Sequence, residues 1–416
     1  MTRIALFAAM IGALLAGCGE LSRPASTPSD AEAHLRALVD SLLPTLQQVS
    51  GLDARAPVNV ALRSPEQVRS FVDRRLAEDF PPAELDGVHA AYALLGLIPD
   101  TLNLRQLLSD LYAEQIVGYY DPDSTMLYVI DGVPAEAVRP VLVHELVHAL
   151  QDQELNLDSL IARERGNDRQ LAAQAMIEGH ATLAMLAFLG GEAAGRVVDP
   201  GELPDPSAQI RSGLDAAQQY PVFRSAPRLL REVLIFPYAE GASFAWTVWA
   251  ALPAEQRPAI TSIIPESTEQ VLDPRAKFLS QRDTPTEVSF AEGSDWRVLY
   301  ENNFGALETR LFLEIRGAAG QLAEGWDGDR YRVLEDDAGR RALVWFSVWD
   351  SAEAARTFAA AAERVLGTAE RGNTAAITLL DTGRPAVRVV VVVSGLDATA
   401  VGAGQLTCTA DACVVR

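Results

Sequence analysis

Residues 141–150 read Val-Leu-Val-His-Glu-Leu-Val-His-Ala-Leu, so His144, Glu145 and His148 sit inside a run that is otherwise apolar. On a helix, residues four apart lie about 40° apart around the axis, and both imidazoles then face one way. Two neutral ring nitrogens on one helix face are what a single Zn²⁺ requires of a helix. Glu145 stands beside the first of them, where a carboxylate can take the proton of an activated water. The other reading is an amphipathic core helix with two incidental histidines. Histidine is uncommon in apolar cores, and two of them flanking a glutamate would need partners there.

The chain opens with Met1-Thr-Arg3 and the apolar stretch Ile4–Leu15. A positive start, a short apolar core and small residues beyond it describe an export signal, and the run is too short to span a bilayer comfortably. Leu15-Ala16-Gly17-Cys18 resembles the bacterial lipoprotein cleavage box. The resemblance implies a signal peptide over 1–17 and lipid on Cys18, enough to anchor the protein to a bacterial membrane on its extracytoplasmic side. Residues 18–30 carry small polar residues and prolines and read as a flexible tether. A net charge of −21 makes nucleic acid an improbable partner and leaves membrane attachment to the lipid. Cys408 and Cys413 form an even pair, which in an oxidising compartment suggests one short disulfide loop.

Residues 31–117 read as mostly helical. Ala31–Val49 has helical apolar spacing, Ser64-Pro65-Glu66-Gln67 is a capped helix start, and Ala83–Leu97 and Asn103–Gln115 are further helices. Gly118–Ser124 is a turn-rich break, and Thr125–Ile130 a short strand. The helix bearing the two histidines is expected over 136–154. A strand just before it has a use: an exposed edge strand can pair with an extended substrate.

Catalytic zinc usually has three protein ligands and an open position. Glu178, thirty residues past His148, lies on a helix expected over 168–189, far enough for a loop and an antiparallel return. His180 on that helix and Asp152 are the alternatives. Glu178 and His180 are about 200° apart, so only one can face the metal. Asp152, one turn past His148, could instead accept that ring's other N–H. Thr182 could help orient the second helix.

His144-Glu-Leu-Val-His148 followed by Glu178-Gly-His-Ala-Thr182 is similar to the gluzincin zinc metallopeptidases. With Glu114-Gln115, Gly118-Tyr-Tyr-Asp121, Phe236-Pro-Tyr238-Ala-Glu-Gly241 and Pro265-Glu-Ser-Thr-Glu-Gln270, residues 110–280 resemble an uncharacterised family of bacterial secreted or lipid-anchored metallopeptidases. The resemblance implies Glu178 as third ligand. Where that family leads one to expect Leu-His-Pro, this chain has Leu272-Asp273-Pro274, so a histidine donor to the oxyanion is missing. Tyr238 is the substitute candidate, although a core tyrosine beside a proline turn is the more ordinary explanation.

Beyond residue 285 the pattern changes. Residues 325–330 read as a turn, Tyr331–Leu334 and Ala342–Val348 as paired strands, Asp350–Leu366 as an amphipathic helix and Ala386–Val393 as another strand. Trp326, Trp345 and Trp349 could line a binding surface, with core packing the plainer alternative.

The expected fold class is α+β: a mainly helical zincin-like domain over 31–284, and a small C-terminal α+β module over 285–416. The expected function is hydrolysis of a protein or peptide substrate, with Zn²⁺ on His144, His148 and Glu178, Glu145 as general base and Tyr238 as donor. The rival is a non-catalytic, membrane-tethered binding or envelope-assembly protein with a structural or degenerate zinc site. Oligomeric state has no signature in the sequence.

Overall fold

The computed structural model describes residues 7–8, 28–133, 135–155, 157–160, 166–216, 220–291, 296–367, 372–399, 401, 404–409 and 412–416. The expected leader and Cys18, the expected site of lipid, lie outside the described residues, apart from the backbone of Phe7–Ala8. The fold is α+β, as expected.

Helix α1 (Pro28–Ser50) follows the apolar spacing of 31–49 and begins inside the stretch read as tether. Helix α2 (Pro65–Asp79) starts at the Ser64 capping box: the Ser64 hydroxyl accepts the Gln67 N–H, and the Gln67 side chain accepts the Ser64 N–H. Helices α3 (Pro82–Leu94) and α4 (Leu104–Gln115) complete the N-terminal group.

A small sheet interrupts these helices. Its order is β1 (Phe7–Ala8), β3 (Gly118–Asp121), β4 (Met126–Ile130), β2 (Asn59–Arg63), with β2 parallel to β4 and the other pairs antiparallel. This corrects the expectation for Thr125–Ile130. That strand is interior, flanked by β3 and by β2, because Leu127 and Val129 need cover on the core side and the ladder is completed by a distant segment. Strand β3 lies between β4 and β1, and among the described residues its far side is covered by the two residues Phe7–Ala8, Phe7 opposite Tyr120 and Ala8 opposite Tyr119.

Helix α5 (Ala135–Glu154) carries the two histidines and packs on β3 and β4. After the single turn α6 (Leu157–Leu160) comes α7 (Asn167–Ala194), buried along nearly its whole length. Among the described residues it is the one helix long and apolar enough to cross a membrane, and its apolar surface is spent on the protein core. Helices α8 (Ser207–Ala216) and α9 (Pro221–Ser225) lead to α10 (Arg228–Ala251), which lies along α7, and to α11 (Thr268–Leu272). The α7–α10 approach is set by two glycines: a Cβ on Gly179 would fall 2.0 Å from the Gly241 carbonyl, and one on Gly241 would fall 2.2 Å from the Ala175 oxygen. Only bare backbone fits on both sides of this crossing.

The C-terminal part holds a five-stranded sheet in the order β6 (Arg297–Asn302), β7 (Trp326–Glu335), β8 (Arg341–Trp349), β10 (Pro385–Val392), β9 (Thr374–Asp381), every pair antiparallel. Helices α12 (Gly305–Ile315) and α13 (Ala352–Gly367) pack on it. A second small sheet joins β11 (Leu406–Cys408) and β12 (Ala412–Val415) to β5 (Glu287–Phe290), and Cys408 and Cys413 are disulfide-bonded. Residues 326–330 are strand and not turn. The Asp329 carboxylate makes this possible by accepting the N–H groups of Phe304 and Gly305 and the indole N–H groups of Trp326 and Trp345. The three tryptophans are therefore core residues. One apolar core runs from α2 and α3 through α7 and α10 into β7, β8 and α13.

Candidate metal centre

Helix α5 turns one face into the core between α7 and the small sheet, and that face carries His144, Glu145 and His148. All three, and Glu178 on α7, are 0 % exposed. The ring nitrogens and the carboxylate converge: His144 Nε2 lies 3.1 Å from Glu178 Oε2, His148 Nε2 lies 3.3 Å from the same oxygen, and the two Nε2 atoms are 3.0 Å apart. Tetrahedral ligands at zinc distances of about 2.0–2.1 Å stand roughly 3.3 Å from one another, so the triangle has the size of one face of such a shell. Three electron-rich atoms this close, out of water, repel unless a cation or protons lie among them. The donor set, its size and its burial fit a divalent metal ion, and the group could hold one.

Electrostatics agree with a ligand set. Burial pushes the His144 imidazole down to about 4, so it is neutral near pH 7. Burial alone would raise the Glu178 carboxyl, but the facing rings of His148 and His144 outweigh it and hold the group at about 2, ionised.

Glu145 points to the sheet, where its Oε2 accepts the backbone N–H of Tyr120 on β3 at 2.9 Å. Tyr238, on α10, is buried with its ring centre 6.1 Å from that of His144. Burial, Glu178 and Glu145 all raise its phenol well above the ordinary range, so it remains a proton-bearing donor.

The remaining sequence candidates fall elsewhere. His180 faces away from the metal locus, its Nε2 at 2.9 Å from the Ser50 carbonyl. Asp152 accepts the Tyr120 hydroxyl at 2.8 Å and ties α5 to β3. Gln151 takes the position proposed for Asp152, with Oε1 at 2.8 Å from His148 Nδ1. Thr182 Oγ1 is buried with no hydrogen-bond partner among the described residues, so no bond from it orients the helix. Asp273 is exposed and caps the following turn through the Ala276 N–H. Glu114 accepts the Val222 and Phe223 N–H groups and so caps α9. Gln151 and Tyr120 are the residues that sequence reasoning missed. A second acidic group, Glu269, Asp283 and Asp350, surrounds the ammonium of Lys277, the only lysine in the chain, and needs no metal.

Residues 294–411 match the family model described as a domain of unknown function, DUF8575, which covers the C-terminal sheet and none of the metal-binding group. No curated protein matches the chain in sequence. Among solved structures, the chain is similar to a "putative hydrolase with a novel fold" from Chloroflexus aurantiacus, with 16% identity over 60% of this chain and 90% of that one, at a TM-score of 0.31.

Proposed function

We propose that the protein is a zinc-dependent peptidase held at the extracytoplasmic face of a bacterial membrane by lipid on Cys18. The observation that carries the reading is the convergence of His144, His148 and Glu178 on one point, with the Glu145 carboxylate on the adjoining position of α5. A zinc ion on those three residues would supply Lewis acidity toward a peptide carbonyl and lower the pKa of a water there. Glu145 takes the proton from the attacking water and hands it to the leaving amine, and the Tyr120 N–H bonded to its Oε2 orients the carboxylate. Tyr238 donates its phenolic hydrogen to the developing oxyanion, the part left vacant by Asp273.

Strand β3 is the surface for an extended substrate. Its outer edge lies next to Glu145, and Phe7–Ala8 pairs with it in antiparallel register, which supports polypeptide binding at that edge. The Cys408–Cys413 disulfide supports an oxidising compartment, in keeping with export.

Complete burial of all four site residues favours a second reading, a non-catalytic metal site within a tethered binding protein. Metal analysis together with cleavage of an unstructured protein separates the two. The peptidase reading expects about one zinc per chain, cleavage abolished by chelator and restored by zinc, and a Glu145→Gln protein that retains the metal while cleaving roughly 10²–10⁴-fold more slowly. Bound zinc without cleavage, or cleavage that Glu145→Gln leaves intact, would refute it.

A further inference from the structure

Behind the metal locus, a chain of hydrogen bonds runs from His148 to the end of α1. His148 Nδ1 is 2.8 Å from Gln151 Oε1. Gln151 Nε2 is 3.0 Å from the Ile177 carbonyl and 3.0 Å from His180 Nδ1. His180 Nε2 is 2.9 Å from the carbonyl of Ser50, the last residue of α1. Every side chain in this chain is buried.

The direction of each bond follows from its two carbonyl ends, because a carbonyl only accepts. Ser50 requires the proton of His180 on Nε2. Neutral His180 then has a bare Nδ1, which accepts from the Gln151 amide. Ile177 independently requires the amide NH₂ on that same side, so the amide oxygen is left to face His148. His148 must therefore carry a proton on Nδ1, and in the neutral ring it is Nε2 that offers a lone pair toward Glu178 and His144.

We propose that Gln151 and His180 are positioning residues for the metal: together they hold His148 in the Nδ1–H tautomer and aim its Nε2 into the shared locus. This deepens the metal-site reading above and rests on it. It also explains why a second histidine stands two residues after Glu178 without joining the ligand set. His180 satisfies the second N–H of an amide that could not otherwise be buried, and it anchors that amide to α1.

The direct test is the tautomer, which needs neither a variant nor activity. The chain has five histidines, so protein carrying ¹⁵N-imidazole histidine can be assigned by single substitutions. Long-range ¹H–¹⁵N correlations of the metal-free protein should show His148 as Nδ1–H and His180 as Nε2–H. His148 as Nε2–H, or His180 as Nδ1–H, would overturn the proposal. In competition titrations with a chromophoric chelator, Gln151→Leu should bind Zn²⁺ roughly 10- to 100-fold more weakly. Gln151→Glu, which keeps an acceptor toward His148 but sets a second acceptor against the Ile177 carbonyl, should recover only part of that loss. Wild-type affinity in Gln151→Leu would also overturn it. If Gln151→Leu fails to fold, the wild-type tautomers still decide. The expected tautomers in a protein that takes up no divalent ion would uphold the relay and sink the peptidase reading instead.

Discussion

The same substitution at two glycines of α7 should have opposite effects. A Cβ on Gly179 would lie 2.0 Å from the carbonyl carbon and oxygen of Gly241, whereas ordinary contact begins at 3.4 Å. Helices α7 and α10 would have to separate by about 1.4 Å, and no side chain can rotate out of the way because the obstacle is main chain. Overpacking of this kind costs about 1–3 kcal/mol, and a backbone obstacle puts Gly179→Ala at the upper end. The entropic gain of about 0.5–1 kcal/mol from removing a mid-helix glycine leaves a net loss of about 2 kcal/mol. At Gly190 the nearest atom to a built Cβ is a Leu203 methyl at 3.9 Å, so Gly190→Ala should gain about 0.4–1 kcal/mol. Urea unfolding followed by far-UV circular dichroism, with both variants and wild type on one set of solutions, reads the two signs. Because the crossing also sets Tyr238 on α10 beside Glu178 on α7, Gly179→Ala should impair activity beyond its loss of folded protein. Midpoints that shift in the same direction, or a neutral Gly179→Ala, would refute the account of this crossing.

Two further outcomes follow from the buried ionisable groups. Tyr238→Phe should lower kcat by about 10²-fold with little change in KM, since a donor to the oxyanion acts only in the transition state; a change confined to KM would remove Tyr238 from the chemistry. Burial raises the Asp168 carboxyl to about 7, and its Oδ2 has no hydrogen-bond partner among the described residues. The folded state then binds more protons than the unfolded state between about pH 4 and 7, so this group's stabilising contribution is fully present at low pH and is lost as pH rises through 7. Glu308, raised to about 7, and Asp329, raised to about 6, act with the same sign. Denaturation midpoints from pH 5.5 to 8 should therefore fall less steeply in Asp168→Asn than in wild type, and an unchanged slope would sink this assignment.

The helical period and the two histidines were legible because both are local. Ser64 and Gln67 sit three residues apart and close their capping box without help from the rest of the chain. Glu178 was legible as a candidate ligand only by its resemblance and its distance from His148; the structure brings it within 3.3 Å of both rings. Strand β2 was not legible. Its partner β4 lies more than sixty residues on, and Asn59–Arg63 has little alternation to mark it between helices. The choice of Asp152 over Gln151 shows a different limit. Residues three and four beyond His148 both share its face of the helix, and a carboxylate is the stronger acceptor. What decides between them is on α7: the Ile177 carbonyl and His180 fix an amide, while Tyr120 draws Asp152 toward the sheet. The turn expected at 325–330 failed for a similar reason, since the polar residues that suggested it are satisfied by indoles and amides far along the chain.

The metal-binding group is set into an apolar core, so the ion's contribution should be measurable as stability before any substrate is known. The helices that carry His144, His148 and Glu178 also carry the buried apolar side chains of Leu142, Leu146, Val147, Ala181 and Met185, which offer no hydrogen bonds to a charged carboxylate. Without a cation, that carboxylate faces two imidazoles, and burial pushes that of His144 down to about 4. On the proposed reading, zinc would bind the native arrangement and gain little from the unfolded chain, where the three residues are scattered. At free zinc one hundred times the dissociation constant, the native state should be favoured by about 2.7 kcal/mol. Thermal unfolding should therefore shift upward with zinc, return on chelation, and respond far less in Glu178→Gln, whose amide is a weak ligand. Glu145→Gln should respond as wild type does, because that residue is no ligand. Equal responses from Glu178→Gln and wild type would show that zinc binds somewhere other than between α5 and α7.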